Sequence, residues 1–321
     1  MWQHGLLYTG LTGVAFSSGY AQEYPAKPIR LVIPFAPGGT NDIIGRLVAM
    51  KLGAALGQQV IIDNRGGAGG AIGVELVAKS APDGYNLVLG NIANLAVNPT
   101  LYRSLPYNPV KDLQPVTLIA KVPQILVVHP SLPVNSVREL IALAKAKPGS
   151  LAYGSGGNGS GAHLTAELLK LLAKIDLTHV PYKGVSPALV DLLAGQTALV
   201  FGGVPGVAPY VTAGRLRALG VTGAKRVRPF PDVPTIEQGG VPGYEATLWY
   251  GVLAPAGTPA PIIARLHATL VRALQTADMS ERLAADASEP VGNSPEEFLA
   301  FIKSEIERWA PVIKASGARV D

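Results

Sequence analysis

The chain has 321 residues, 48% hydrophobic and 15% charged, enough apolar material for two ordinary domains and too little charge for disorder. Its net charge is +5, but Lys and Arg are scattered; the densest group, Lys225, Arg226 and Arg228, has no interleaved aromatic residue and reads as a solvated loop, not a nucleic-acid surface. Cysteine is absent, which excludes a disulfide framework, a thiolate nucleophile and a cysteine–zinc site.

The first stretch differs from the rest. Met1 to Gln22 carries no Lys, Arg, Asp or Glu, Gly5 to Phe16 is mostly apolar, and Gly19-Tyr20-Ala21 offers small residues to a signal peptidase. Residues 1–21 therefore read as an export signal cleaved near Ala21. The n-region has only His4 where Lys or Arg is usual.

Ile29 to Phe35 is a short apolar run of strand type, followed by the turn Pro37-Gly38-Gly39. Thr40, Asn41 and Asp42 are all competent helix caps. Ile43, Ile44, Leu47, Val48, Leu52 and Leu56 then recur at helical spacing, and Gly57 stops the helix. Strand, glycine turn and helix N-terminus together aim backbone N–H groups and the positive helix end at one spot, which suits an anion without any basic side chain. Val60–Asp63 is the next strand, Arg65–Ala71 a second glycine-rich turn, Ile72–Lys79 a helix and Asn86–Leu89 a third strand ending in Gly90–Asn94. This alternation predicts a parallel βαβαβ unit with its ligand crevice at the carboxyl ends of the strands.

Pro115–Lys121 and Gln124–Val128 read as two strands with a break at Val122-Pro123, carrying the chain into a second domain. Ser136 opens a helix through the capping box Ser136-Val-Arg-Glu139. Leu151–Tyr153, the loop Gly154–Gly161 and a helix over 162–172 repeat the opening layout. Thr178–Val180, a helix from Ser186 to Gly195, Ala198–Phe201, a helix over 205–212 and Leu216–Val221 complete a second alternating domain. Pro229–Pro242 is proline-rich and wraps the surface. Thr247–Ala254 reads as a returning strand, with Trp249 and Tyr250 as core. Ile262–Leu274, Met279–Ala285 and Pro295–Ser316 are helical, the last introduced by the capping box Ser294–Glu297.

Gly154-Ser-Gly156-Gly-Asn-Gly159 matches G-x-G-x-x-G. Its strand is short, however, and Asp176 precedes the next strand where a ribose-binding carboxylate should end it. No P-loop or G-x-S-x-G elbow occurs. Ser155 or Ser160 with His163 and an aspartate would be the makings of a hydrolase, and His129, His179 and His267 stand alone. No metal, cofactor or catalytic residue is expected.

Nine stretches in order carry a resemblance to one family. They are PIRLVIPFAPGGTNDIIGR (28–46), VIIDNRGGAGGAIG (60–73), PDGYNLVLG (82–90), NPTLYRSLPYNPVKDLQPV (98–116), YGSGGNGSGAHLTAELL (153–169), HVPYKGVSPALVDLLAGQ (179–196), GRLRALGVT (214–222), PDVPTIEQGGVPGYE (231–245) and APAGTP (254–259). The sequence resembles the Bug-type extracytoplasmic solute receptors of tripartite tricarboxylate transporters. The resemblance implies an α/β type II periplasmic-binding-protein fold, two α/β lobes with a ligand cleft between them. It implies lobe 1 over 22–122 plus 252–321 and lobe 2 over 123–251. It also implies a periplasmic receptor for a small carboxylate (organic acid, acidic amino acid or aromatic carboxylate), membrane transporter subunits as partners, and no nucleic acid. Carried onto this chain, one carboxylate would be held by amides and waters of two loops. The first contributes Phe35, Ala36, Pro37, Gly38, Gly39, Thr40 and Asp42. The second contributes Ser155, Gly156, Asn158, Gly159, Ser160 and His163. Asn91, Asn94 and Tyr182 would stand at the rim. Ala173-Lys174-Ile175 lacks a frequent glycine, Ala198 replaces a frequent aspartate and Gly220 a usual alanine. The runner-up reading is a secreted serine hydrolase acting on a carboxylate ester through Ser155 and His163.

Overall fold

A computed structural model describes residues 1–2, 24–285 and 287–318; the expected export signal lies outside them except for Met1 and Trp2. In chain order the first elements are β1 (Ile29–Ile33), α1 (Thr40–Leu56), β2 (Val60–Asn64), α2 (Ala71–Ala78), β3 (Asn86–Asn91), α3 (Asn98–Leu101) and β4 (Leu113–Val128). Next come α4 (Val137–Ala146), β5 (Ala152–Ser155), α5 (Gly161–Ala173), β6 (Thr178–Pro181), α6 (Val185–Leu193), β7 (Leu199–Gly203), α7 (Val204–Thr212) and β8 (Arg217–Val221). The chain ends with β9 (Thr247–Pro255), α8 (Ala260–Leu274), α9 (Ala277–Ala285), β10 (Glu289–Pro290) and α10 (Pro295–Ser316).

The strands lie in the order β2-β1-β3-β9-β4-β7-β5-β6, with β8 and β10 pairing with β4. β1 is parallel to β2 and β3, and β5 is parallel to β6 and β7, so each half has the parallel core that the alternation predicts. Side-chain alternation then builds the layers. Ile29, Leu31 and Ile33 meet Ile44, Val48 and Leu52 of α1 and Leu266 and Leu270 of α8. Val32 and Val88 face the other way, toward Val74 and Val77 of α2. In the second half Ile125 and Val127 join Leu189 and Leu192 of α6 and Val207 of α7. Each of these fully buried aliphatic side chains contributes about 1.5–3 kcal/mol relative to exposure, which makes the sheet faces the main source of stability.

Two details differ from the sequence reading. The expected break at Val122-Pro123 is absent, and β4 is one strand of 16 residues. It pairs antiparallel with β9 as far as Pro123↔Thr247 and with β7 from Gln124↔Gly203. Pro123 thus puts its missing N–H at the exchange of partners, where the lost ladder bond costs least. β3 also runs two residues beyond Leu89, because Gly90 and Asn91 pair with Gly251 and Tyr250 of β9. A single π-helical turn, Ala93–Val97, follows it. Trp249 and Tyr250 are buried, as core residues should be.

Candidate functional site

The first glycine loop leaves the carboxyl end of β1. Gly38 has φ +87°, a left-handed conformation that glycine adopts without strain. The helix cap is Gly39, not Thr40, Asn41 or Asp42, and it makes no side-chain cap bond. Those three polar residues form the first turn of α1 instead. The buried Asp42 carboxylate bends back and accepts from Gly38 N–H at 3.0 Å, Arg46 Nε at 2.9 Å and Asn64 Nδ2 at 3.1 Å. The Arg46 guanidinium, together with these donors, holds the Asp42 carboxyl below the usual carboxylate range. Asp42 therefore shapes the loop from beneath and occupies the Gly38 amide. Asp42 N–H and Ile43 N–H bond to Gly39 O. That leaves the Gly39, Thr40 and Asn41 N–H groups without an acceptor in the described protein. Phe35 and Thr40 are half-buried, and Ala36, Pro37, Gly38 and Gly39 are exposed.

The second loop leaves β5. Ser160 caps α5, accepting from His163 N–H at 3.4 Å. Ser155, wholly buried, has its hydroxyl 2.6 Å from His179 Nε2 and accepts from Gly157 N–H at 3.1 Å. His163, also buried, accepts from Gly159 N–H at 3.1 Å through Nδ1. Ser155 and His163 therefore do not form the hydrolase pair suggested by the sequence, since Ser155 bonds a different histidine and has no exposed surface. His179 does not stand alone either. Gly156, Asn158 and, in the first turn of α5, Gly161 keep free N–H groups at the surface; Ala162 N–H also has no protein acceptor, but that residue is buried.

The loops belong to surfaces that meet. A Cβ at Gly203, the carboxyl end of β7, would lie 3.8 Å from Thr40 Oγ1. Gly159, at φ +73°, approaches α3 so closely that a Cβ there would stand 2.6 Å from Leu101 Cδ2. Asn91 and Asn94 brace the third strand end. Asn91 Nδ2 donates to Asn41 Oδ1 at 2.8 Å, Asn91 N–H donates to Asn94 Oδ1 at 2.9 Å, and the buried Asn94 Nδ2 has no partner. The Tyr182 hydroxyl donates to Asp191 at 2.6 Å, and burial, with Asp191 beside it, pushes that hydroxyl up to about 12. Sequence reasoning did not single out Asn41, Asn64 or His179 as site residues; Asn41 carried a signal as a neighbour of the glycine turn, and Asn64 as the carboxyl end of the second strand.

A cavity of about 360 Å³ lies elsewhere, beside the middle of β4, lined by Lys121, Pro123, Thr247 and the 223–228 loop. It includes Lys225, Arg226 and Arg228 but no residue of either glycine loop. Arg226 is tied to Gln238 and Pro231 O.

Two helix N-termini, those of α1 and α5, each stand behind a glycine loop free of Lys and Arg. The profile described as the tripartite tricarboxylate transporter family receptor matches residues 44–318. The chain belongs to this family. It is 42% identical over 301 residues to protein BugT of Bordetella pertussis (strain Tohama I), covering 94% of this chain and 92% of that protein. Among solved structures, R. palustris Rpa4515 with adipate superposes with a TM-score of 0.86 at 41% identity, over 93% of this chain and 100% of that one. MatC (Rpa3494) from Rhodopseudomonas palustris with bound malate superposes with a TM-score of 0.82 at 33% identity, over 90% and 100%. The family's fold is therefore that of this receptor, a periplasmic-binding-protein fold of two α/β lobes.

Proposed function

We propose that this receptor is exported to the periplasm, captures a small carboxylate between its lobes without catalysis, and delivers it to the membrane subunits of a tripartite tricarboxylate-type transporter. The observation that carries the reading is the set of free N–H groups at two helix N-termini in loops that contain no Lys or Arg. Several amide bonds to one carboxylate, each about 1.5–3 kcal/mol, can replace a missing arginine. The relatives with adipate and malate support a carboxylate of this size. Contacts fall to Gly39, Thr40, Asn41, Gly156, Asn158 and Gly161, with Phe35, Ala36, Pro37 and Ser160 shaping the walls and Asn91, Asn94 and Tyr182 at the rim. Asp42, Ser155 and His163 support the loops from below.

Mass spectrometry of ligand retained after gentle purification identifies the carboxylate, and titration calorimetry with variants tests how it is held. Gly39 has φ −88°, and a Cβ there meets nothing within 4 Å. Gly39→Val should therefore fold normally yet cut affinity at least tenfold, about 1.4 kcal/mol, because its branches fill the space over the free amides. Lys183→Ala, at an exposed position, should cost less. Loss of binding in Lys183→Ala with Gly39→Val unaffected would show that side-chain charge does the work.

The lobes proposed to close are 22–122 with 252–321 and 123–251, joined by β4 and β9. A ligand specific to the closed form should raise stability by about 2.7 kcal/mol at a hundredfold excess over Kd and reduce the radius of gyration in small-angle scattering. Tight binding with unchanged scattering would mean a rigid pocket.

A further inference from the structure

We infer that His163 and His179 are positioning residues for the second anion loop, and that His163 holds the loop only as a neutral imidazole, so that carboxylate binding is coupled to its protonation. The inference rests on the receptor reading above for its ligand, but its structural half stands without one.

The two rings pin the loop at two points. Gly159 N–H donates to His163 Nδ1 at 3.1 Å. His179 Nε2 lies 2.6 Å from Ser155 Oγ, which in turn accepts from Gly157 N–H at 3.1 Å. The rings stack on each other with centroids 4.2 Å apart and planes 16° from parallel, and Tyr153 stacks on His179 at 4.8 Å. Gly157 and Gly159 are held at φ +111° and +73°. With Gly157 and Gly159 bonded inward, the intervening Asn158 N–H and the preceding Gly156 N–H are left for a ligand. Movement of either ring would change the spacing of those free donors.

The tautomer follows from the contact. Nδ1 of His163 faces an N–H donor, so it carries the lone pair and the single ring proton sits on Nε2, 4.0 Å from Glu167 Oε1. A second proton on Nδ1 would set N–H against N–H and break the loop contact. The titratable groups facing the ring are Glu167 and Lys170 of α5, Tyr153 of β5 and His179 of β6. Glu167 already accepts from the Tyr153 hydroxyl at 2.7 Å and from Lys170 at 2.9 Å. Burial, with Lys170 nearby, pushes His163 down to about 4; burial, with His163 beside it, does the same to His179. At neutral pH both rings are uncharged and the loop is fully held.

Two variants separate the acceptor from the ring. His163→Asn keeps an acceptor near the Nδ1 position and cannot be protonated in this range; His163→Phe keeps the stack and has no acceptor. Amide NMR of the ligand-free protein should show the Gly159 N–H shifting as pH falls through about 4 in the wild type and not in His163→Asn. Hydrogen exchange at Gly159 should be at least tenfold faster in His163→Phe than in His163→Asn at neutral pH. Titration with adipate and malate should then give at least tenfold weaker binding for His163→Phe, with partial rescue in His163→Asn. Unchanged exchange and affinity in His163→Phe, or a Gly159 signal that ignores pH, would overturn the inference. A wild type that binds no carboxylate while the Gly159 results come out as stated would overturn the receptor reading instead.

Discussion

Glu305→Ala should lower the free energy of unfolding by about 3–5 kcal/mol. Glu305 sits on α10 and is 4% exposed. Its Oε2 accepts from Trp249 Nε1 at 2.8 Å and from Trp309 Nε1 at 3.1 Å. Both indoles are among the largest fully buried side chains. Truncation strips two buried N–H groups of their acceptor, each costing about 1–3 kcal/mol, and opens a void between α10 and β9. Arg308, whose side chain is 41% exposed, also pairs with Glu305. Arg308→Ala should cost less than Glu305→Ala, because both indole N–H groups keep their acceptor. Glu305→Gln keeps an acceptor and should fall between the two. Urea unfolding at matched m-values measures all three. If Glu305→Ala loses less than 1 kcal/mol, water has replaced the carboxylate and the indoles do not depend on it. Trp249 lies on β9 opposite Lys121 of β4, so this bond ties α10 to the central β4–β9 ladder.

Acidification from pH 6.5 to pH 4 should remove several kcal/mol of stability before most carboxylates titrate. In the folded protein His163 and His179 are held down to about 4, against 6.5 for an ordinary histidine. Between those values the unfolded chain binds more protons than the folded one, so stability rises with pH across the window. It is complete above pH 6.5, declines as pH falls, and levels off below about 4. A buried histidine held at about 4 carries about 3 kcal/mol of this effect. His163 should show nearly all of it, and His179, less deeply buried, a smaller share. Asp42 acts in a lower window: its carboxyl is held down by Arg46, so its contribution is lost only as pH falls through its folded value. Denaturant unfolding at several pH values gives the slope, and His163→Asn should flatten it substantially. A stability that is constant from pH 6.5 to 4 would show that both rings become protonated without cost.

Much of the architecture was legible because its signals are local. Apolar spacing marked α1, and cap chemistry marked the start of α10 at Ser294, where the bond forms between residues three apart; the Ser160 cap of α5 was seen only in the structure. Ser136 likewise caps α4, though Glu139 reaches Asn135 N–H and not the cap residue itself. The same locality made the anion loops visible, since glycines and the want of Lys or Arg are read directly from the chain. Family membership was carried by the order of those local motifs.

Only the tertiary structure decided where non-local bonds go. β4 runs straight through Pro123 because β9 and β7 lie on either side of that point, partners about 80 to 120 residues away in the chain. His179 reaches Ser155 because β5 and β6 pair in parallel with Tyr153 opposite His179, a register that no pattern within either strand specifies. Gly38, not Gly39, takes the left-handed backbone because the Asp42 carboxylate, itself fixed by Arg46 and Asn64, draws in the Gly38 amide. Periodicity and capping act over a few residues and survive in the sequence alone. Which amides stay free for a ligand depends on bonds closed from distant strands, and those exist only once the sheet is assembled.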